Sequence, residues 1–428
     1  MNRRTLVSLF LPTLFCVVAA RAAEPELVLK ENDVWVMTGD SITAQRLHTN
    51  YLEAYYRTRH PQLHLHFRNS GIGGNKTANV LARFDYDVAA WKPTIVSVEL
   101  GMNDVNAGDD PAAYVLGIRN IVSKIRAAHA QPVLISSSPV NDGSRMNDWK
   151  SERCQRLHPY TEALRKLAAE LKVVFIDQYH PLVEVWGANR KRGEEAAIKA
   201  GTFPPPPAPP APPVDGKPPK PAAPPIPPML IPLGGDPVHP GPAGQYHMAA
   251  VILAGLKATG EVSSATIGAD GKVAEARRCK ISNASAPDGK LIFTRLDEAG
   301  PWPIHPAAKE ALKLMPEMLK LSEYTLRVTA LPEGRHRVTI NGNTAATLDA
   351  KELAAGWNMT TAFDERSSAI LALIGNLQSK LNIAWREASK ASDGVKLAEA
   401  QRAIDESEKE IHKACQPVPL RFEIEKVK

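Results

Sequence analysis

Four short blocks in the first 245 or so residues carry side chains able to do chemistry. The first is Gly39-Asp40-Ser41-Ile42, which follows the apolar run Val34-Trp35-Val36-Met37-Thr38 and precedes a polar stretch expected to start a helix from about Ala44. A strand-to-helix turn of this kind exposes a side chain at the carboxyl edge of a sheet and aims helix amides at developing negative charge. Taken alone, Gly-Asp-Ser is also ordinary turn and N-cap chemistry. The second block, Asn69-Ser70-Gly71-Ile72-Gly73-Gly74-Asn75, offers glycines whose backbone N–H groups stay open to a reacting oxygen. In the third, Gly101-Met102-Asn103-Asp104, a side-chain amide can donate to the same oxygen. The fourth is Asp236-Pro237-Val238-His239-Pro240. A serine hydroxyl needs a base within hydrogen-bond reach, and that base needs an acceptor to fix its tautomer; a histidine three residues after an aspartate meets both needs.

Asp177-Gln178-Tyr179-His180 repeats the Asp-x-x-His spacing. It directly follows a strand and reads as the start of the next helix, so capping and packing are its expected roles. His64 and His66 share a strand face with no further ligand beside them, and His247 reads as a packing residue. No CxxC, HExxH, GxSxG, phosphate-binding glycine loop or dinucleotide fingerprint is present, so no metal and no cofactor are expected.

Together, in this order, the four blocks resemble the SGNH (GDSL-like) hydrolase superfamily, over roughly residues 33 to 256. Val173-Val174-Phe175-Ile176-Asp177 and His239-Pro240-Gly241-Pro242-Ala243-Gly244 are similar to the family as well. The resemblance implies a flavodoxin-like α/β/α fold with Ser41 as nucleophile, His239 and Asp236 completing a triad, and the Ser41 amide, Gly74 and Asn103 forming the oxyanion hole. Ile42 departs from the leucine of the older family name, and a proline-rich insertion precedes the histidine block. Neither removes a catalytic group.

The elements that must position these residues are legible as alternating short apolar runs and longer amphipathic stretches, the pattern of a parallel sheet covered by helices. Strands are expected at Val34–Met37, Leu63–Phe67, Ile95–Leu100, Val133–Ser136 and Val173–Ile176. Helices are expected at Asn75–Trp91, Pro111–Ala128, Tyr160–Leu171 and Ala243–Leu256. Residues 188–232 are read as a proline-rich insertion, densest from Pro204 to Pro228. From about 259 the pattern becomes a β-rich accessory domain, with a hairpin joining Tyr324–Leu331 to Arg335–Asn341, a helical hairpin over Arg366–Cys415 and a closing strand at Pro419–Val427. Trp357 and Trp385 could be exposed for binding a partner or buried as core.

With 428 residues, 44% of them hydrophobic, the chain can bury a sizeable core. A formal charge of +6 is too mild to argue for nucleic acid. Arg3 and Arg4, the apolar run Leu6–Ala20 and the Ala20-Arg21-Ala22 end read as an export signal over residues 1–22; Pro12 and its short length argue against a spanning anchor. The expectation is a secreted or periplasmic protein with no stable membrane insertion. Cys279 and Cys415 could pair, leaving Cys154 free, or all three could be thiols. The functional expectation is a serine esterase acting on a small ester or acylated polysaccharide, with carbohydrate deacetylation first. Lipase or lysophospholipase activity, aryl esterase activity, and a non-catalytic glycan-binding surface protein are the alternatives. The oligomeric state is not readable.

Overall fold

The computed structural model describes residues 27–141, 152–204 and 225–427. The expected export signal lies outside these residues, as does most of the proline-rich tract. The N-terminal α/β unit comprises β1 (Val34–Gly39), α1 (Ser41–Ala44), α2 (Leu47–Arg59), β2 (His66–Gly71), α3 (Thr77–Asp87), β3 (Ile95–Glu99), α4 (Met102–Asn106), α5 (Pro111–Ala127), β4 (Gln131–Ile135), α6 (Glu152–Leu171), β5 (Val174–Ile176), α7 (Tyr179–Lys199) and α8 (Pro242–Gly255). Among the described residues its sheet runs β2-β1-β3-β4-β5, all parallel. This is the flavodoxin-like order, and the chain reverses its direction across the sheet between β1 and β3, where open α/β folds form their crevice. Val36, Val96, Val98, Val133 and Leu134 are buried because helices cover both faces, which explains why these strands read as unbroken apolar runs.

Several boundaries differ from the sequence expectation, each for a local reason. The second strand occupies His66–Gly71, not Leu63–Phe67. Polar Asn69 looks like a strand exit, but its side-chain amide donates to the Thr43 carbonyl at 2.8 Å and to Thr49 Oγ1 at 2.9 Å, which makes its burial tolerable. The helix after the first block begins at Ser41 itself, stops at Arg46 (φ +64°) and resumes as α2. Helix α6 starts well before Tyr160 and carries Pro159 inside it. Helix α7 continues to Lys199, so residues 188–199 are helix and the insertion begins beyond it. Asn189 and Arg190 on α7 fasten the returning chain by bonds to Ile231 and Pro227.

The C-terminal region comprises β6 (Glu261–Gly268), β7 (Val273–Arg277), β8 (Cys279–Ser285), β9 (Leu291–Asp297), β10 (Glu323–Thr329), β11 (Arg335–Ile340), β12 (Asn343–Asp349), α9 (Ala350–Ala355), β13 (Trp357–Asn358), α10 (Asp364–Asn376), α11 (Asn382–Lys390), α12 (Gly394–Cys415) and β14 (Leu420–Lys426). Two sheets, β13-β10-β6-β7 and β12-β11-β14-β9-β8, share a core that includes Val262, Phe293, Leu326, Val338 and Phe422. The expected hairpin across Pro332-Glu333-Gly334 is not one: β10 pairs with β6 and β13 in one sheet, whereas β11 pairs with β12 and β14 in the other. The intervening turn crosses between the layers of the sandwich.

The helical hairpin of α10, α11 and α12 packs on the N-terminal unit, and its Ile370, Ile374, Leu377, Trp385, Ile404 and Ile411 join that unit's core. Trp385 is buried and stacks on Trp91 at 3.4 Å between ring centroids; Trp357 is half-buried. Buried Glu408 of α12 reaches Arg68 at 2.7 Å and His66 at 2.6 Å on β2, and Arg57 of α2 at 3.4 Å. Burial alone would raise its pKa, but Arg68, His66 and Arg57 together hold it down at about 2. Gln378 donates to Glu53 at 2.6 Å and to the Phe67 carbonyl at 3.0 Å, and accepts from the Asn69 amide. At the junction of the two units the Arg59 guanidinium donates to the carbonyls of Thr259, Gly260, Glu261 and Leu321. Cys154, Cys279 and Cys415 are all thiols. Cys415 lies buried at the end of α12, its thiol pushed up to about 11 by burial, and Cys279 belongs to the sandwich.

Candidate active site

Ser41 stands at the carboxyl end of β1, on the first residue of α1, with the Asp40 carboxylate accepting from the Ile42 amide at 2.9 Å as the cap. Its Oγ lies 2.7 Å from His239 Nε2, and His239 Nδ1 lies 2.8 Å from Asp236 Oδ2. Because a carboxylate only accepts, Nδ1 carries a proton, and in the neutral imidazole Nε2 is left to accept from the serine hydroxyl. Asp236 Oδ1 takes the amides of Val238 and His239, both at 2.8 Å. Burial would raise the Asp236 pKa, but these bonds hold it below the ordinary carboxylate value. The loop is closed by Asp236 N–H to the His239 carbonyl (3.0 Å) and Gly241 N–H to the Gly234 carbonyl (3.0 Å). Gly235 is required there: φ is +71°, and an added Cβ would fall 1.9 Å from the His239 carbonyl oxygen.

The second block wraps the other side of the serine. A Cβ placed on Gly73 would lie 3.8 Å from Ser41 Cβ, and Gly74 adopts φ +74° with open space around it. Asn103 sits at the start of α4 and donates from Nδ2 to the Asn75 carbonyl at 3.2 Å, which ties the third block to the second. Two buried groups hold these loops. Arg83 donates to Asn75 Oδ1 at 2.8 Å and to the Gly39 carbonyl at 3.3 Å, and Asp104 accepts from the amide and hydroxyl of Thr77. The fold thus brings Ser41, His239 and Asp236 into one hydrogen-bonded chain and sets Gly74 and Asn103 on linked loops at the same edge.

A buried network behind the site was not evident from motifs. His48 has Gln245 Oε1 on Nδ1 (2.8 Å) and Glu99 Oε2 on Nε2 (3.0 Å). The Gln245 oxygen is fixed as an acceptor because it also takes the His48 backbone N–H, at 3.0 Å. With acceptors on both nitrogens, the surroundings favour the protonated ring. Burial would lower its pKa, but Glu99 and the two side-chain bonds raise it. Gln245 Nε2 then donates to the Pro240 carbonyl at 3.2 Å, beside His239. Gln178 donates to Glu99 Oε1 at 2.7 Å. Burial, and next the charge of Glu99, push Asp40 up to about 7. Only the polar character of residues on otherwise apolar elements, such as Glu99 and Gln245, could have signalled this network.

Asp177 and His180 reproduce the local geometry of the other pair: the His180 amide donates to Asp177 Oδ1 at 3.2 Å and Nδ1 meets Oδ2 at 2.8 Å. Their neighbour is His158, at 5.3 Å between ring centroids, and not a serine. His247 accepts from Trp186 Nε1 at Nδ1 and donates from Nε2 to the Ala311 carbonyl, a neutral packing histidine whose pKa burial lowers. His64 pairs with Glu31 and stacks on His412, and His66 pairs with Glu408.

The model of the GDSL-like Lipase/Acylhydrolase family matches residues 37–246. Thioesterase 1/protease 1/lysophospholipase L1 of Escherichia coli K12 is 35% identical over 81 residues, 19% of this chain and 39% of that protein, so the chain spans about two-fifths of the length of the curated relatives it matches. Among solved structures, a gut microbial diltiazem-metabolizing enzyme superposes with a TM-score of 0.71 at 20% identity, over 94% of this chain and 99% of its own. The fold is therefore shared through the C-terminal region. An acetylxylan esterase of Geobacillus stearothermophilus has a TM-score of 0.39 at 20% identity, covering 53% of this chain and 94% of its own.

Proposed function

We propose that this chain, a member of the SGNH (GDSL-like) hydrolase superfamily and an ester-bond hydrolase, is an exported serine esterase that removes small acyl groups, acetyl foremost, from carbohydrate. The observation that carries the catalytic part is the chain Asp236 Oδ2 to His239 Nδ1, 2.8 Å, and His239 Nε2 to Ser41 Oγ, 2.7 Å. His239 takes the hydroxyl proton as Ser41 Oγ bonds to the ester carbonyl carbon. The oxyanion is met by the Ser41 and Gly74 amides and the Asn103 side chain, where each donor is worth about 100- to 1,000-fold in turnover. His239 then gives its proton to the departing alcohol, and water, deprotonated by the same imidazole, releases the acid and restores Ser41.

The surroundings favour a hydrophilic substrate over a lipid. Gly73 and Gly74 are exposed, His239 is one-third exposed, and the polar side chains of Gln45, Asn75 and Lys76 stand in these segments alongside the smaller apolar surface of Ile72 and Val238. Purified protein is tested on acetyl-xylan and other acetylated glycans, diltiazem, lysolipids and acyl-thioesters, with fluorophosphonate labelling of Ser41 in parallel. Acetate release from a glycan that is lost in Ser41→Ala is the expected result. Activity confined to long acyl chains overturns the carbohydrate reading, and an unlabelled Ser41 overturns the catalytic one.

A further inference from the structure

We propose that His158, Glu162 and His180 form a Zn²⁺ site that ties α6 to α7, apart from the serine centre. One ligand atom from each of the three lies within 4.8 Å of the others. His158 and Glu162 are four residues apart on α6, so they share a helix face. His180 is on the first turn of α7. Its Nδ1 is engaged by Asp177 at 2.8 Å, which leaves Nε2 as the nitrogen for a metal. A carboxylate behind a ligating imidazole fixes the ring and raises its basicity, and this is the recurrent outer partner of zinc-bound histidine.

Two nitrogens and one carboxylate oxygen suit Zn²⁺, with water in the fourth position. Tetrahedral bonds of about 2.0–2.2 Å bring ligand atoms to roughly 3.3 Å from one another, a closure within reach of small side-chain rotations. The elements are already fixed. Tyr179 donates its hydroxyl to the Cys154 carbonyl at 2.9 Å, and its amide and that of Gln178 each donate to Ser136 Oγ at 3.1 Å, so α6 and the start of α7 meet in one arrangement. The charged neighbour that competes is Arg165, which contacts Glu162 Oε1 at 3.3 Å and also pairs with Asp177. Metal entry displaces it from Glu162 and leaves it on Asp177.

The test is a Zn²⁺ titration of metal-stripped full-length protein in competition with a chromophoric chelator, with thermal denaturation in parallel. The expected result is one equivalent of bound Zn²⁺ and a raised Tm. His158→Ala, Glu162→Gln and His180→Ala each lose the equivalent and the Tm shift, and Asp177→Asn weakens binding by about 10- to 100-fold. His239→Ala, which removes the other aspartate-paired imidazole, retains it. His158 is exposed, so its replacement leaves the fold intact and keeps the test decisive. Absence of a stoichiometric site, or a site that survives His158→Ala or disappears with His239→Ala, overturns the proposal.

Discussion

Hydrogen-bond geometry at Ser41 makes the contribution of single residues measurable. On the proposed role of Asn103 as an oxyanion donor, Asn103→Ala should lower turnover about 100- to 1,000-fold with little change in KM, because such a donor acts in the transition state. Equal losses in affinity and turnover would point instead to a substrate-binding role. Asp40 gives a pH test. Its folded pKa of about 7 exceeds the ordinary 3.8, so the unfolded chain releases this proton first. Stability therefore declines as pH rises from about 4 to about 7 and levels off above. Asp40→Asn keeps the side-chain oxygen that caps Ile42. It should melt at a higher temperature than the parent above pH 7, with the gap closing toward pH 4; a gap that does not vary with pH would show that this carboxyl does not titrate there.

At the scale of elements, α12 rests on β2 through an ion cluster more than through helix propensity. Glu408 has its pKa held at about 2 against an ordinary 4.5, so its contribution is fully present above about pH 4.5 and is lost as pH falls toward 2. A depression of that size is worth on the order of 3 kcal/mol. Glu408→Gln leaves Arg57 and Arg68 without their shared carboxylate, and breaking a buried pair costs about 3–5 kcal/mol. Denaturant unfolding at pH 7 should show that loss, and the variant should lack the parent's acid sensitivity between pH 4.5 and 2. A parent and variant that lose stability in parallel over that interval would place the acid-labile group elsewhere.

For the whole molecule, the C-terminal region is not a detachable accessory. Trp302 stacks on Tyr246 at 4.3 Å and donates to the Tyr51 carbonyl at 2.9 Å, and α10 to α12 complete the core beside β2, an edge strand of the parallel sheet. Truncation after residue 258 removes both and bares apolar surface and a strand edge, so the shortened chain should be insoluble or lack a cooperative melting transition. A soluble fragment with full esterase activity would contradict this picture. Deleting only residues 205–224 should leave Tm within a few degrees, because one flank continues directly from α7 and caps back on its Ala197 carbonyl, and the returning flank is fastened to Asn189 and Arg190 of the same helix.

What the sequence determined by itself was local. Continuous apolar runs marked β1, β3, β4 and β5, since strands covered on both faces have no polar side to show, and four ordered motifs named the residues of the candidate site. It did not set β2, where Asn69 looks like a strand exit until Thr43 and Thr49 accept from its amide. Nor did it separate a hairpin from a crossing between sheets, because β10 and β11 alternate in the same way whether or not they pair. The two Asp-x-x-His pairs show the limit most plainly. Each makes the same bond between aspartate and imidazole from spacing alone, yet only the packing of the loop between Gly234 and Gly241 beneath Gln45 and Gln245 carries His239 to Ser41. Spacing along a chain fixes what a residue can reach within a few positions; a partner 198 residues away is chosen by how the sheet and helices pack.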